Sequence, residues 1–232
     1  MKLACSSTAF DERLRSGELT QLEWIDLCAH ELSADGIVCD VRHFPRTDTD
    51  YLAQVKKMAV DTGLTMAALR HDAFFDADPE HMEQALDMAL ALGAPLLSAP
   101  LPAETAISWA DMQARLGTAT SLAKRLNVTL AVRNMPQTYA ATSADMKRVS
   151  KEADSAWLRY GPDFGAFDAA SEPEALAGKC VLAWHDFRRK DTSARVEALR
   201  GFLGFLCLTD GEGAATAESA REAFQTWRTV LK

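Results

Sequence analysis

Arginine, histidine and carboxylate side chains recur in short clusters that directly follow apolar runs. The clusters are Ser6 and Ser7; Arg42 and His43; Arg70, His71 and Asp72; Ser98; Arg133 and Asn134; Asp163; Trp184, His185 and Asp186; and Thr209, Asp210 and Glu212. Imidazoles and carboxylates exchange protons, and a neutral imidazole also ligates metals. A guanidinium stays protonated, has no lone pair to give, and offers five donors to oxygen. This mixture suits proton transfer on a small polar molecule. His43, His71, Asp163, His185 and Asp186 are the candidates for catalysis, and Arg42, Asp72, Arg133, Asn134, Trp184, Asp210 and Glu212 for holding the substrate. Schiff-base chemistry is disfavoured, because Lys56, Lys57, Lys124, Lys147 and Lys151 fall in helical runs and Lys190 lies beyond the last cluster but one.

Such clusters form one site only if the chain gathers them at one end. Eight short apolar runs alternate with longer amphipathic ones, the pattern of βα units feeding a parallel sheet. The strand candidates begin near Lys2, Gly36, Leu64, Ala94, Val128, Trp157, Cys180 and Gly204; helical periodicity covers Leu19 to Leu32, Asp50 to Thr62, Pro79 to Leu92, Trp109 to Leu126, Ala144 to Ala153 and Glu218 to Leu231. The link after the sixth strand, containing SEPEALAG, is the shortest. Gly63 and Gly93 fall where left-handed caps would end helices, and Asp78-Pro79 is a cap followed by a favourable first helical residue. No linker or low-complexity tract divides the units, so residues 1–232 are expected to form one α/β domain, a single (β/α)8 barrel. In that fold the ends of the strands and the loops after them carry chemistry, which is where the clusters stand. The loop TDGEGAAT, from Thr209 to Thr216, precedes the last helix as a phosphate loop would, but Asp210 and Glu212 oppose an anion there.

Charge restricts the partners. With 25 Lys plus Arg against 33 Asp plus Glu, the formal charge is −8, so the chain has no general attraction for nucleic acid or an anionic membrane. No apolar run reaches the length of a membrane span and no signal peptide is evident, so a soluble, cytoplasmic protein is expected. A small-molecule partner remains, and a homo-oligomer is compatible with the composition. Five cysteines, odd in number and without a C-x-x-C pair, read as reduced core residues, with Cys5, Cys39, Cys180 and Cys207 expected on strands.

Across nearly its full length the sequence resembles the xylose-isomerase-like TIM barrels, the family of sugar phosphate isomerases and epimerases that includes endonuclease IV. The segments that carry the resemblance are DGIVCDVRHFPRTDTDYLAQVKKMAVDTGLTMAAL (35–69), ALDMALALGAPLL (85–97), LNVTLAVRN (126–134) and GFLGFLCLTD (201–210). The resemblance implies a divalent metal held by a Glu, an Asp, a His and a Glu on the fifth to eighth strands; the metal polarises the sugar while carboxylates move a proton. Residue by residue, Arg133 falls on the fifth-strand Glu, Asn134 on the Asn after it, and Asp163 on the sixth-strand Asp. The histidine three residues on becomes Ala166. His-x-Lys-Asp of the seventh strand lands on Ala183, His185 and Asp186, and the eighth-strand Glu on Thr209, beside Asp210.

Asp163 is thus the single retained ligand position. The full family metal site is not expected, and His71 and His185 are the remaining side chains that could ligate one. Alternation of Thr129, Ala131 and Arg133 aims Arg133 into the barrel, where it would supply positive charge in the metal's place, with Asp163 as its expected ion partner. Two readings follow. One is a sugar or sugar-phosphate isomerase or epimerase acting on a small carbohydrate or polyol; the other is a barrel that has lost catalysis and binds a carbohydrate or anion, or serves as a partner subunit.

Overall fold

The computed structural model describes residues 1–167, 173–189 and 201–231. Eight strands, β1 (Lys2–Ser6), β2 (Gly36–Asp40), β3 (Thr65–Arg70), β4 (Leu96–Pro100), β5 (Thr129–Arg133), β6 (Leu158–Tyr160), β7 (Leu182–Asp186) and β8 (Phe205–Thr209), form one parallel sheet. Helices α1 (Asp11–Ser16), α2 (Gln21–His30), α3 (Thr49–Asp61), α4 (Pro79–Leu92), α5 (Trp109–Leu126), α6 (Ser143–Ala153) and α7 (Ala217–Val230) lie along the chain between and after the strands. The expected single (β/α)8 barrel is the observed fold. Lys190 lies outside the described residues, as does part of the SEPEALAG link.

The ladder runs from β6 through β1 to β8 and β7, and two isolated parallel bridges, Tyr160 with Cys180 and Asp163 with Trp184, bring its edges together. This seam has a local cause. A Cβ on Gly161 would lie 3.3 Å from the Ala131 side chain, and Pro162 has no N–H to give a ladder, so β6 stops after three residues. The seam also corrects one expectation: Cys180 precedes β7 in a bridge, whereas Cys5, Cys39 and Cys207 are on strands. All five cysteines are free. Burial pushes the Cys28, Cys39 and Cys207 thiols up, so they stay protonated packing groups.

Caps are local and sequence-encoded. Asp78 accepts the His81 N–H ahead of Pro79, Gly93 closes α4 at φ +74°, and Thr20 with Glu23 and Thr142 with Asp145 form capping boxes. Strand alternation then divides the apolar residues into two cores. Leu3, Cys5, Ile37, Cys39, Leu69 and Ala183 pack under the helices, while Ala4, Val38, Ala68, Leu182, Trp184 and Cys207 fill the barrel.

One irregularity decides a functional residue. The register of β2 on β3 slips between Ile37 and Val38, so that Ala67 has no partner and both Ala67 and Ala68 pack inside the barrel. Met66 packs outward before the slip and Leu69 after it. Arg70 therefore faces inward, where uninterrupted alternation from Met66 would have sent it to the helices.

Candidate functional site

The inward residues at the strands' C-terminal ends surround a cavity of about 350 Å³, lined among others by Thr8, Asp11, Arg42, Arg70, Arg133, Asn134, Asp163, Trp184, Thr209, Asp210 and Glu212. Trp184 is its floor. The Arg70 and Arg133 guanidinium carbons lie 5.6 and 5.5 Å from that indole centroid, close enough for cation–π attraction from both.

Above the indole, the arginines are matched with acids. Arg70 donates Nε to Asp72 Oδ1 at 2.9 Å and Nη2 to Oδ2 at 2.6 Å, and donates to Thr8 Oγ1 at 3.1 Å. Arg42 donates Nε and Nη2 to the two oxygens of Asp40, at 3.0 and 3.1 Å. Asp40 is almost wholly buried, and its Oδ2 lies 3.4 Å from Arg70 Nε. Arg133, 7% exposed, donates Nη2 to Asp72 Oδ1 at 2.8 Å. Desolvation works against the Asp72 anion, but the Arg70 bonds and the charges of Arg133, Arg70 and Arg42 outweigh it and hold the carboxyl at about 2.

This corrects the expected pairing of Arg133 with Asp163. The hydrogen-bonded partner of Arg133 is Asp72, in the loop after β3, two strands from β5, and no ion pair joins Arg133 to Asp163 among the described residues. Asn134 organises Asp163 through its backbone: the side chain accepts the Asp163 N–H at 2.6 Å and donates to the Asp163 carbonyl at 3.1 Å. Asp163 Oδ1 accepts the Gly165 N–H at 2.8 Å. Burial raises the Asp163 pKa, against the pull of the Arg133 charge and the Gly165 bond. The cup therefore holds one carboxyl that favours its proton and one, Asp72, that gives it up.

The last two strands supply a second cluster. Asp210, buried, accepts a hydrogen bond from Arg188 Nη2 at 2.8 Å and pairs with its Nε at 2.5 Å; Arg188 also reaches Glu212 at 2.8 Å. Asp186 accepts the Arg188 N–H, and a Cβ on Gly211 would lie 2.5 Å from Asp186 Oδ2. Glycine at 211 is what lets these two loops meet.

The three histidines do not gather in the cup. His43 is sealed below its rim, between Ser7 and Asp11. His71 lines a separate groove with Leu52, Gln84 and Met88 on α3 and α4, and burial lowers its pKa. His185, fully buried, faces the helix layer and meets the Trp227 ring at 4.8 Å, because Trp184 and Asp186 take the inward positions of β7. Of the other expected residues, Arg42, Arg133, Asn134, Asp163, Trp184, Asp210 and Glu212 line the cavity, and Asp72 and Asp186 bond to or touch residues that do. Asp11 and Arg188 stand in none of the sequence clusters, and Arg70 stands in one without being among the candidates. Arg70 is hidden in sequence by the β3 slip, and Asp11 by its place on a six-residue helix.

The parity of β7 also moves one family position. Ala183 packs under the helices, so the β7 residue beside Asp163 in the barrel is Trp184. The four positions then read Arg133, Asp163, Trp184 and Thr209. A guanidinium and an indole N–H have no lone pair for a cation, and among the described residues no group of three or more His, Cys, Asp or Glu side chains is placed to hold one. The donor set does not fit the family's divalent metal.

A (β/α)8 barrel with a polar cup at the C-terminal ends of its strands belongs to a class that hosts many chemistries. Residues 27–201 match the family model of the xylose isomerase-like TIM barrel, and the chain belongs to that family. A search of curated proteins finds no match. Among solved structures, a D-psicose 3-epimerase in the presence of D-fructose superposes with a TM-score of 0.82 at 16% identity, covering 100% of this chain and 99% of its own. The D-psicose 3-epimerase of Clostridium cellulolyticum H10, with D-tagatose, gives 0.81 at 14% identity and full coverage of both chains. The 3-keto-D-glucoside 4-epimerase of E. coli gives 0.74 at 16%, covering 99% of each. At such identities these likenesses establish the fold. Among the described residues no helix is long and apolar enough to cross a membrane.

Proposed function

We propose that this chain is an isomerase- or epimerase-like enzyme for a small carbohydrate or polyol, acting in the cup without a divalent cation. The observation that carries this reading is Arg133. It occupies a metal-ligand position, is almost wholly buried, and among the described residues makes one hydrogen bond to a protein acceptor although it has five N–H donors. Its remaining donors suit the carbonyl oxygen of a ketose, whose charge grows when the neighbouring carbon loses a proton. A guanidinium in a low-dielectric cup stabilises that developing enediolate as a metal ion would.

Asp163 is the proton carrier. As a carboxylate it takes the proton from the carbon beside the carbonyl; the C–H pair becomes the C=C bond of an enediolate as the C=O π pair passes to its oxygen, and Asp163 returns the proton from the same face to the former carbonyl carbon while the hydroxyl proton of the first carbon moves to the other oxygen. A raised pKa makes it the stronger base of the two cup carboxyls. Charge balance supports an uncharged sugar: Arg42, Arg70 and Arg133 are already offset by Asp40, Asp72 and Asp11. A phosphate would have to displace these acids.

The second reading, a barrel that binds carbohydrate without turning it over, is favoured by the replacement of both family glutamates, by Arg133 and Thr209. Incubation with D-fructose and D-tagatose in heavy water with chelator present separates the two. Deuterium appearing at carbon beside the carbonyl, and lost in Asp163→Asn, supports the enzyme; tight binding with no exchange supports the binder; neither binding nor exchange with these or the related free ketoses refutes both.

A further inference from the structure

One hydrogen-bonded chain near the cup has no part in the chemistry above. Ser7 Oγ accepts the Asp40 N–H at 2.8 Å, lies 2.8 Å from His43 Nδ1, and His43 Nε2 lies 2.9 Å from Asp11 Oδ1. The residue types are those of a hydrolytic triad, but the exposure runs the wrong way. Ser7 and the His43 ring are wholly buried, while Asp11, its side chain 23% exposed, lines the cavity. The serine end is closed to a substrate and the carboxylate end is open.

Directions within the chain follow from what each group can do. Asp11 as an anion only accepts, so His43 Nε2 carries a hydrogen toward it. Ser7 accepts from the Asp40 amide and has its own hydrogen to give, and His43 Nδ1 is the acceptor in reach. The order of donation is Asp40 N–H to Ser7, Ser7 to His43, and His43 to Asp11. A backbone amide at the end of β2 thus fixes a carboxylate on α1.

Two further contacts hold that carboxylate. Gly213, at φ +73°, brings the loop after β8 against Asp11: a Cβ there would lie 2.8 Å from Asp11 Cβ, and the Glu12 N–H donates to the Gly213 carbonyl at 3.0 Å. Arg42 Nη2 lies 3.4 Å from Asp11 Oδ1. Among the described residues Asp11 Oδ2 accepts no hydrogen bond, and Arg15 Nη1 lies 3.6 Å from it. An oriented oxygen with open lone pairs is left at the rim.

We propose that Asp11 accepts a hydroxyl of the bound sugar through Oδ2, and that His43 and Ser7 are positioning residues that aim it. This rests on the reading of the cup as a carbohydrate site. Burial opposes the Asp11 anion, but the His43 bond and the Arg42 and Arg15 charges hold its carboxyl below the ordinary range, as a permanent acceptor needs.

The test is calorimetric titration of D-fructose, with chelator present, into wild type, Asp11→Asn, His43→Gln and His43→Phe. Hydrogen bonds to charged groups correspond to roughly ten- to hundredfold in affinity. Asp11→Asn is expected to weaken binding by that factor with the melting temperature little changed. His43→Phe should weaken it several-fold, and His43→Gln, whose amide can both accept from Ser7 and donate to Asp11, should restore it to within about threefold of wild type. If His43→Phe does not fold, Asp11→Asn and His43→Gln decide. Wild-type binding that Asp11→Asn leaves intact overturns the role of Asp11 while the cup reading stands. Failure of wild type to bind D-fructose removes both.

Discussion

The two walls of the cup bury charge in opposite ways. On the wall built from β2, β3 and β5, each guanidinium meets a carboxylate: Arg42 with Asp40, Arg70 with Asp72, and Arg133 with Asp72 again. On the seam side, where β6 and β7 touch through isolated bridges, Asp163 is half-buried with a backbone N–H on its carboxylate and, among the described residues, no cation bonded to it. A matched wall fixes the charge of its members and keeps them in place. An unmatched carboxyl binds its proton more tightly than a matched one, as a base that must take up a proton requires. The same fold thus supplies a rigid electrostatic frame and, across the cavity, one titratable group.

Removing the unmatched group should have the largest effect. Asp163→Asn keeps the acceptor for the Gly165 N–H but cannot carry a proton, so exchange activity should fall by about 10²- to 10⁴-fold. Stability should move the other way. A folded-state pKa above the unfolded one means that the folded state holds the extra proton, so the wild type loses stability as pH rises from near 3.8 through the raised folded value. Asp163→Asn escapes that loss and should be more stable than wild type at neutral pH, on the order of 1 kcal/mol. Urea denaturation at pH 4 and pH 7 checks the sign, and a variant less stable at pH 7 would break the contrast between the walls.

On the matched wall the prediction is reversed. Arg70→Ala takes partners from Asp40 and Asp72 together and uncovers Trp184, so unfolding should become easier by about 3–5 kcal/mol, measured by chemical denaturation. A loss under about 1 kcal/mol would show that water, rather than Arg70, solvates these acids. Arg188→Ala tests a mixed case, because Asp210 is buried while Arg188 is 42% exposed. Asp210 would keep the Glu212 N–H, and a loss of stability smaller than that of Arg70→Ala is expected in the same denaturation.

The smallest effect concerns pH. Asp72 titrates at about 2 in the fold against an ordinary 3.8, so its contribution is full above pH 4 and is lost as pH falls toward 2. Its side chain is 39% exposed, and salt should weaken the contribution. Asp72→Asn should flatten the acid limb of the stability curve at low ionic strength and much less in 1 M salt. An unchanged limb would mean that Asp72 is not held by its arginines.

Much of the frame was legible in the sequence because it is periodic. Eight apolar runs, the Asp78-Pro79 start of α4 and the Gly93 stop are local signals, and the barrel follows from their number and order. Arg133 was legible for the same reason, since β5 is regular and Thr129, Ala131 and Arg133 share a face. Arg70 was not, because a single slipped residue in β3 reverses its side, and nothing in TMAALR marks that slip. The histidines misled because proximity to a strand end says nothing about side: His71 and His185 each follow an inward residue and therefore face out. Asp72, the partner of Arg133, was chosen as a binding residue, but its pairing depends on where a loop after β3 crosses toward β5, which no spacing within either strand encodes.

The most direct measurement is the rate of deuterium incorporation into D-fructose, taken first with chelator and then with millimolar Mn²⁺, for wild type and Arg133→Ala. With Arg133 in the place of the cation, wild type should exchange at the same rate in both conditions and Arg133→Ala at neither. Exchange by wild type that appears only when Mn²⁺ is added, or that survives in Arg133→Ala, would contradict it.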